Sequence, residues 1–300
     1  MRRRWQVLST QDRIAVISLL VALLAALPSY LALRASGGGR PDQAVAVPTS
    51  GVPESDTGQA LQLLAKYNWT ATHVIWALPG QLSSEDSQLA QQPFLGGPDQ
   101  AAAIATLEAL LARRGGVKID FIDTPQGVKE DSELRLVITG QHSSPVLITR
   151  MEARVVKRQP PLSETLFFGP PEGEGEDIQI AFDLDSLSPV ARVFNDDGTL
   201  GEPYFATKHV TVGRGEQVVF GIKAFADRCY CEWEIVVDTL VDGQEQTLVA
   251  RDGDDPFRTT AFTHTYETIY ELDLARGQFV RLAPGSSREF FQGEVFQSKQ

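Results

Sequence analysis

The chain has 300 residues, 27 basic and 39 acidic side chains, a formal net charge of −12 and two cysteines. The first 40 residues hold six arginines and one aspartate, which leaves 21 basic against 38 acidic groups in residues 41–300. That sign of charge excludes nucleic-acid binding, which needs a basic face. Two cysteines exclude a small disulfide framework, so a hydrophobic core must carry the stability.

Residues 14–33, IAVISLLVALLAALPSYLAL, contain no charge. A bilayer core needs about 20 apolar residues, whereas the apolar part of a signal peptide runs about 7–15. No clean small-x-small cleavage site and no lipobox-type cysteine follows. The run reads as an uncleaved signal anchor, a single transmembrane helix. Arg2, Arg3, Arg4 and Arg13 precede it, and Arg34 and Arg40 follow. The positive-inside rule makes residues 1–13 a cytoplasmic tail and sends the rest outside the cytoplasm, at the plasma membrane. Residues 34–56, rich in Gly, Pro and Ser, read as a flexible linker.

Residues 57–116 read as a helical and mixed region. Asp56 or Thr57 is expected to cap a short helix with Leu61, Leu64 and Ala65 on one face, and residues 73–78 to form a strand stopped by Pro79-Gly80. Asp99 is a good N-cap for a helix over 99–114, where Ile104, Leu107, Leu110 and Leu111 recur at helical spacing. Arg113, Arg114 and Gly115 suit its C-terminal end. Asn68-Trp-Thr70 fits a glycosylation sequon.

From Val117 the period changes to two. Alternation runs through residues 117–121, 134–138, 146–156, 178–182, 218–222, 233–237 and 246–249, with turn chemistry between. Many short strands with such punctuation predict a mainly β fold, an antiparallel β-sandwich of Ig-like architecture over 117–285. No helix-sized crossover interrupts them, which argues against a parallel sheet. Residues 168–177 read as a flexible acidic loop. Residues 286–300 read as a tail in which Phe290, Phe291 and Phe296 could dock.

The most distinctive stretch is Cys229-Tyr-Cys231-Glu-Trp233. Thiols outside the cytoplasm tend to be oxidised. On an unbroken strand, residues 229, 231, 233, 235 and 237 share one face, and they are Cys, Cys, Trp, Ile and Val, a strip suited to a core. Residues i and i+2 on a strand lie about 6.5–7 Å apart, near the upper limit for a disulfide, so a Cys229–Cys231 bond needs the strand end to bend. A redox pair, or a bond to another chain, is the functional alternative. None of the four histidines, His73, His142, His209 and His264, has metal-ligand spacing. The acidic turns at residues 195–198 and 252–255 match no EF-hand loop. No G-x-S-x-G is present. No catalytic, cofactor-binding or metal residue is assigned.

The Cys229-Tyr-Cys231-Glu-Trp233 strand, with Pro256-Phe-Arg-Thr259 downstream, resembles membrane-anchored actinobacterial proteins of unknown function. The likeness covers residues 130–262 and implies a β ectodomain without implying an activity. Arg258 is expected to pair with Glu232 or Glu234 across a sheet. The sequence as a whole points to a non-enzymatic, tethered module with a protein or ligand partner in the cell envelope. The alternatives are an envelope hydrolase with paired carboxylates in a cleft, and a disulfide-linked or redox assembly protein.

Overall fold

A computed structural model of the chain describes residues 58–67, 75–124, 127–169, 178–286 and 290, with backbone alone for 121–124, 127–130 and 178–179. The apolar run 14–33, the linker, the sequon and Phe291 and Phe296 lie outside the described residues. Among the described residues, no helix is long and apolar enough to cross a membrane.

In chain order, the first elements are β1 (Leu61–Tyr67), β2 (Trp76–Leu78), α1 (Ser84–Ala90), α2 (Gln100–Arg113), β3 (Val117–Lys118), β4 (Asp120–Thr124), β5 (Gly127–Gly140) and β6 (Val146–Gln159). Next come β7 (Thr165–Phe168), β8 (Ile178–Asp183), β9 (Arg192–Phe194), β10 (Leu200–Pro203), α3 (Tyr204–Thr207), β11 (Val210–Val212) and β12 (Gln217–Phe225). The last are β13 (Tyr230–Val241), β14 (Gln244–Ala250), β15 (Phe257–Thr260), β16 (Thr268–Asp273) and β17 (Gln278–Arg281). The fold is mainly β.

Two sheets share the main core. One has seven strands in the order β1-β5-β12-β8-β9-β10, with β4 also on β5; the other has five, β11-β6-β13-β14, with β15 also on β13. Leu134, Leu136 and Ile138 of β5 and Phe220, Ile222 and Ala224 of β12 alternate into this core from the first sheet. Cys231, Trp233, Ile235 and Val237 of β13 meet them from the second. The core strip expected on β13 is therefore present, and Cys229 continues it at its start.

The pairing is mixed, which corrects the expectation of an all-antiparallel fold. β12 runs parallel to β8, and β16 parallel to β7. Periodicity marks a strand but is silent on its partner, and long connections from β8 to β12 and from β7 to β16 allow parallel pairing without a helical crossover.

A third sheet, β17-β16-β7-β2-β3, takes strands from both ends of the described chain. Its period-two alternation divides two smaller cores. Trp76, Leu78, Phe167, Tyr270 and Phe279 face Ile104, Leu107, Leu110 and Leu111 of α2. Ile75, Ala77, Leu166, Phe168 and Ile269 face the other way, where Phe290 packs on Phe168 at 5.4 Å between ring centroids.

Two local expectations change. Leu61–Tyr67 is a strand, not a helix: Leu61 and Ala65 are buried while Leu64 is 52% exposed. Pairing of β1 with β5, from Leu61 opposite Gly140 to Tyr67 opposite Leu134, outweighs the helix-like spacing of its leucines. Asp99 is the N-cap residue of α2, as expected, but its side chain makes no cap bond. A further helix, Ser84–Ala90, lies in this helical and mixed region. Ser83 is its N-cap: its hydroxyl accepts a hydrogen bond from Asp86 N at 3.1 Å and donates to the Asp86 carboxylate at 2.8 Å. At the far end of α2, Gly115 has φ +76°, and Gly116 N donates to Leu111 O at 2.9 Å, as a left-handed C-terminal turn requires.

Candidate functional site

The site begins with an unequal pair of strands. β6 is 14 residues long, but its neighbour β11 covers only Val146 to Ile148 on the edge away from β13. Further along that edge, Ala153 N donates to Pro189 O at 2.9 Å and Ala191 N donates to Met151 O at 2.8 Å. Beyond Ala153, no strand among the described residues pairs with that edge of β6. Pro160 and Pro161, which lack an N–H, follow the end of the strand.

An open groove of about 1210 Å³ runs along this edge. Residues 152–161 form one wall, residues 185–189 the other, and Arg228 and Cys229 close one side. The second wall is held by its own turn: Asp185 N donates to Asp183 Oδ1 at 3.0 Å, and Ser188 N to Ser186 Oγ at 3.2 Å. Asp185 anchors it to the first. Its carboxylate accepts from Asp227 N at 2.7 Å and lies 3.5 Å from Arg158 and 3.8 Å from Arg228. Arg158 also donates to Leu184 O at 2.6 Å.

Groove charge is sorted by depth. The side chains of Arg154, Lys157, Arg158 and Arg228 are 42–74% exposed. Their acidic partners Glu234, Glu232 and Asp185 are only 7–22% exposed. Glu234 is gripped by Arg154 and Arg251 together. Burial opposes its ionisation, but the two guanidiniums outweigh burial and hold its carboxyl below the ordinary range. Lys157, bonded at 2.9 Å, holds Glu232 low as well. Solvent in the groove therefore meets cations, although the chain as a whole is acidic. Val156 and Leu187, 50% and 106% exposed, add apolar surface.

Cys229 and Cys231 are joined in a disulfide, with Cα atoms 5.8 Å apart. The pair spans the start of β13, with Cys229 just ahead of the strand and Cys231 in it. The residues are 3% and 0% exposed. An intrachain bond at this depth removes both the accessible sulfur that exchange needs and the cysteine a covalent partner would need, which counts against the redox and disulfide-linked alternative. The downstream Pro256-Phe-Arg-Thr259 segment is a clamp between the two main sheets. Phe257 is buried in the core. Arg258 N donates to Tyr67 Oη at 2.6 Å, and Tyr67 Oη donates to Arg258 O at 3.0 Å. Trp233 Nε1 donates to Thr259 Oγ1 at 3.0 Å, and Thr259 Oγ1 donates to Ser132 Oγ at 2.9 Å. Arg258 stands opposite Glu232 in register, as expected, while the ion-pair partner of Glu232 is Lys157.

The two carboxylates lining the groove, Glu152 and Asp185, are both taken up by arginines, an arrangement unlike an acid–base pair flanking a substrate. A second acidic pair lies elsewhere: Asp131 and Glu133 sit 3.4 and 3.6 Å from Lys223 Nζ. The turns at 195–198 and 252–255 close on themselves, through Asn195 Nδ2 to Thr199 Oγ1 and through Asp252 and Asp255 main chain. Among the described residues, no group of three His, Cys, Asp or Glu side chains could hold a metal ion.

Asp131 predicts a pH signature. Its side chain is wholly buried, and neither carboxyl oxygen makes a hydrogen bond. Burial, opposed by Lys223, pushes its carboxyl up to about 7 from 3.8. A raised folded-state value means that folding takes up a proton between those limits, so the group's contribution to stability falls as pH rises through that window. Asp131→Asn is expected to stabilise the protein by about 1–3 kcal/mol more at pH 8 than at pH 5. Urea unfolding at the two pH values checks this; equal shifts at both would refute it.

No family model, no curated protein and no solved structure matches the chain. The residues of the groove therefore carry the functional argument.

Proposed function

We propose that this chain is a membrane-anchored, extracytoplasmic β module, Ig-like in its sandwich architecture, that binds a protein partner at the cell envelope. The uncharged run 14–33 behind Arg2, Arg3 and Arg4 supports the anchor. The resemblance to anchored actinobacterial proteins agrees with that placement. The shared core of the two larger sheets supports the sandwich.

The observation that carries the binding reading is the groove itself, with one wall an open strand edge and the other a turn pinned by Asp185. Such an edge offers main-chain groups to a visitor, while the flanking cations and the exposed Val156 and Leu187 supply charge and apolar contact. Arginine is enriched at interface centres, and Arg154, Arg158 and Arg228 line this groove. Photocrosslinking from Leu187 of the intact protein in its native membrane is the test: a discrete adduct with one envelope protein supports the reading, and no adduct contradicts it.

A further inference from the structure

We infer that the groove takes an extended, acidic protein segment, bound as an added strand along residues 154–159 of β6. This rests on the reading of the groove as a binding surface and specifies the chemistry of its occupant.

Main-chain parity gives the first argument. The N–H of Ala153 and the C=O of Met151 point away from β13, since residues 189–191 bond to them there. Strand groups repeat every second residue, so the N–H and C=O of Val155 point the same way, into the groove and past the last bond to that loop. The register with β13 then shifts between Trp233 and Glu232, opposite Val155 and Lys157. That bulge adds a local twist to the edge.

Charge gives the second. Arg154, Lys157 and Arg158 stand on the edge, Arg228 faces them, and all four are more exposed than the carboxylates they bind. The same charges guard the edge against its own copies: two such edges side by side would set arginine and lysine against arginine and lysine. A strand with acidic side chains meets no such penalty and completes the ion pairs on their exposed side. Edge charge thus selects an acidic partner over self-association.

The test uses the full chain in detergent micelles and fluorescein-labelled octapeptides. One alternates Glu and Thr, one alternates Lys and Thr, and one is the Glu–Thr peptide with alternate backbone amides N-methylated. By anisotropy, the Glu–Thr peptide is expected to bind at least about tenfold tighter than the Lys–Thr peptide, and N-methylation to lose about tenfold. Val155→Pro removes an outward N–H without touching the ladder to β13, and is expected to weaken binding similarly. Equal binding of the acidic and basic peptides, or indifference to N-methylation on the unmodified chain, overturns strand addition by an acidic segment. No binding by any peptide, beside a specific adduct from Leu187, overturns strand addition and leaves the binding surface standing. Loss of both removes both readings.

Discussion

Trp233→Ala is expected to destabilise the protein by about 3–5 kcal/mol, the cost of emptying a large aromatic site in a close-packed core. Trp233 is fully buried. Its ring lies 5.1 Å from Phe257 and 5.8 Å from Phe182, so its loss opens a cavity between the two main sheets. It also removes the donor to Thr259 Oγ1, the first link of the chain to Ser132 on the opposite sheet. Trp233→Phe is expected to cost less, because the packing is kept in part while the donor is lost. Chemical denaturation followed by far-ultraviolet circular dichroism measures both. A loss below about 1 kcal/mol for alanine would mean that the sheets do not meet over this residue.

Gly140→Ala is the second large effect, and its cause is steric. A Cβ on Gly140 would stand 2.0 Å from Gly213 O and 2.8 Å from Gly213 C. Neither atom can swing aside, because both belong to the main chain. Gly140 is fixed on several sides: its N donates to Glu216 O at 3.0 Å, its O accepts from Gly215 N at 2.9 Å, and it pairs with Leu61 of β1. The substitution is expected to cost about 3 kcal/mol or more, at the upper end for overpacking. Gly80→Ala, where a Cβ meets nothing within 4 Å, is the control and is expected to change stability by less than about 0.5 kcal/mol. Equal behaviour of the two variants would contradict the close approach of β5 to the Gly213 turn.

What the sequence showed, and what it hid, follows from the range of each interaction. The core strip of β13 and the apolar face of α2 were legible because one local period set each of them. The helix expected at β1 rests on Leu61, Leu64 and Ala65, which fit helical spacing. The alternation of Leu61, Leu63, Ala65 and Tyr67 fits a strand equally well, and pairing with β5 decides between them. Ser83 and Asp86 carry a helix-start spacing of their own, three residues apart. Parallel pairing of β8 with β12 was beyond reach, since partners so far apart leave no periodic mark. The groove was hidden for a similar reason. Arg154, Lys157 and Arg158 were visible in an acidic chain, but a free edge is defined by what β6 does not pair with, which only tertiary structure supplies.

The most direct measurement is a photoreactive amino acid at Leu187, compared with the same group at Leu274, in the intact chain in its native membrane. Both side chains are well exposed, at 106% and 51%, and only Leu187 borders the groove. The account predicts a discrete, mass-spectrometrically identified adduct from Leu187 that Leu274 does not form. Adducts of equal yield at both positions, or none at Leu187, would contradict it.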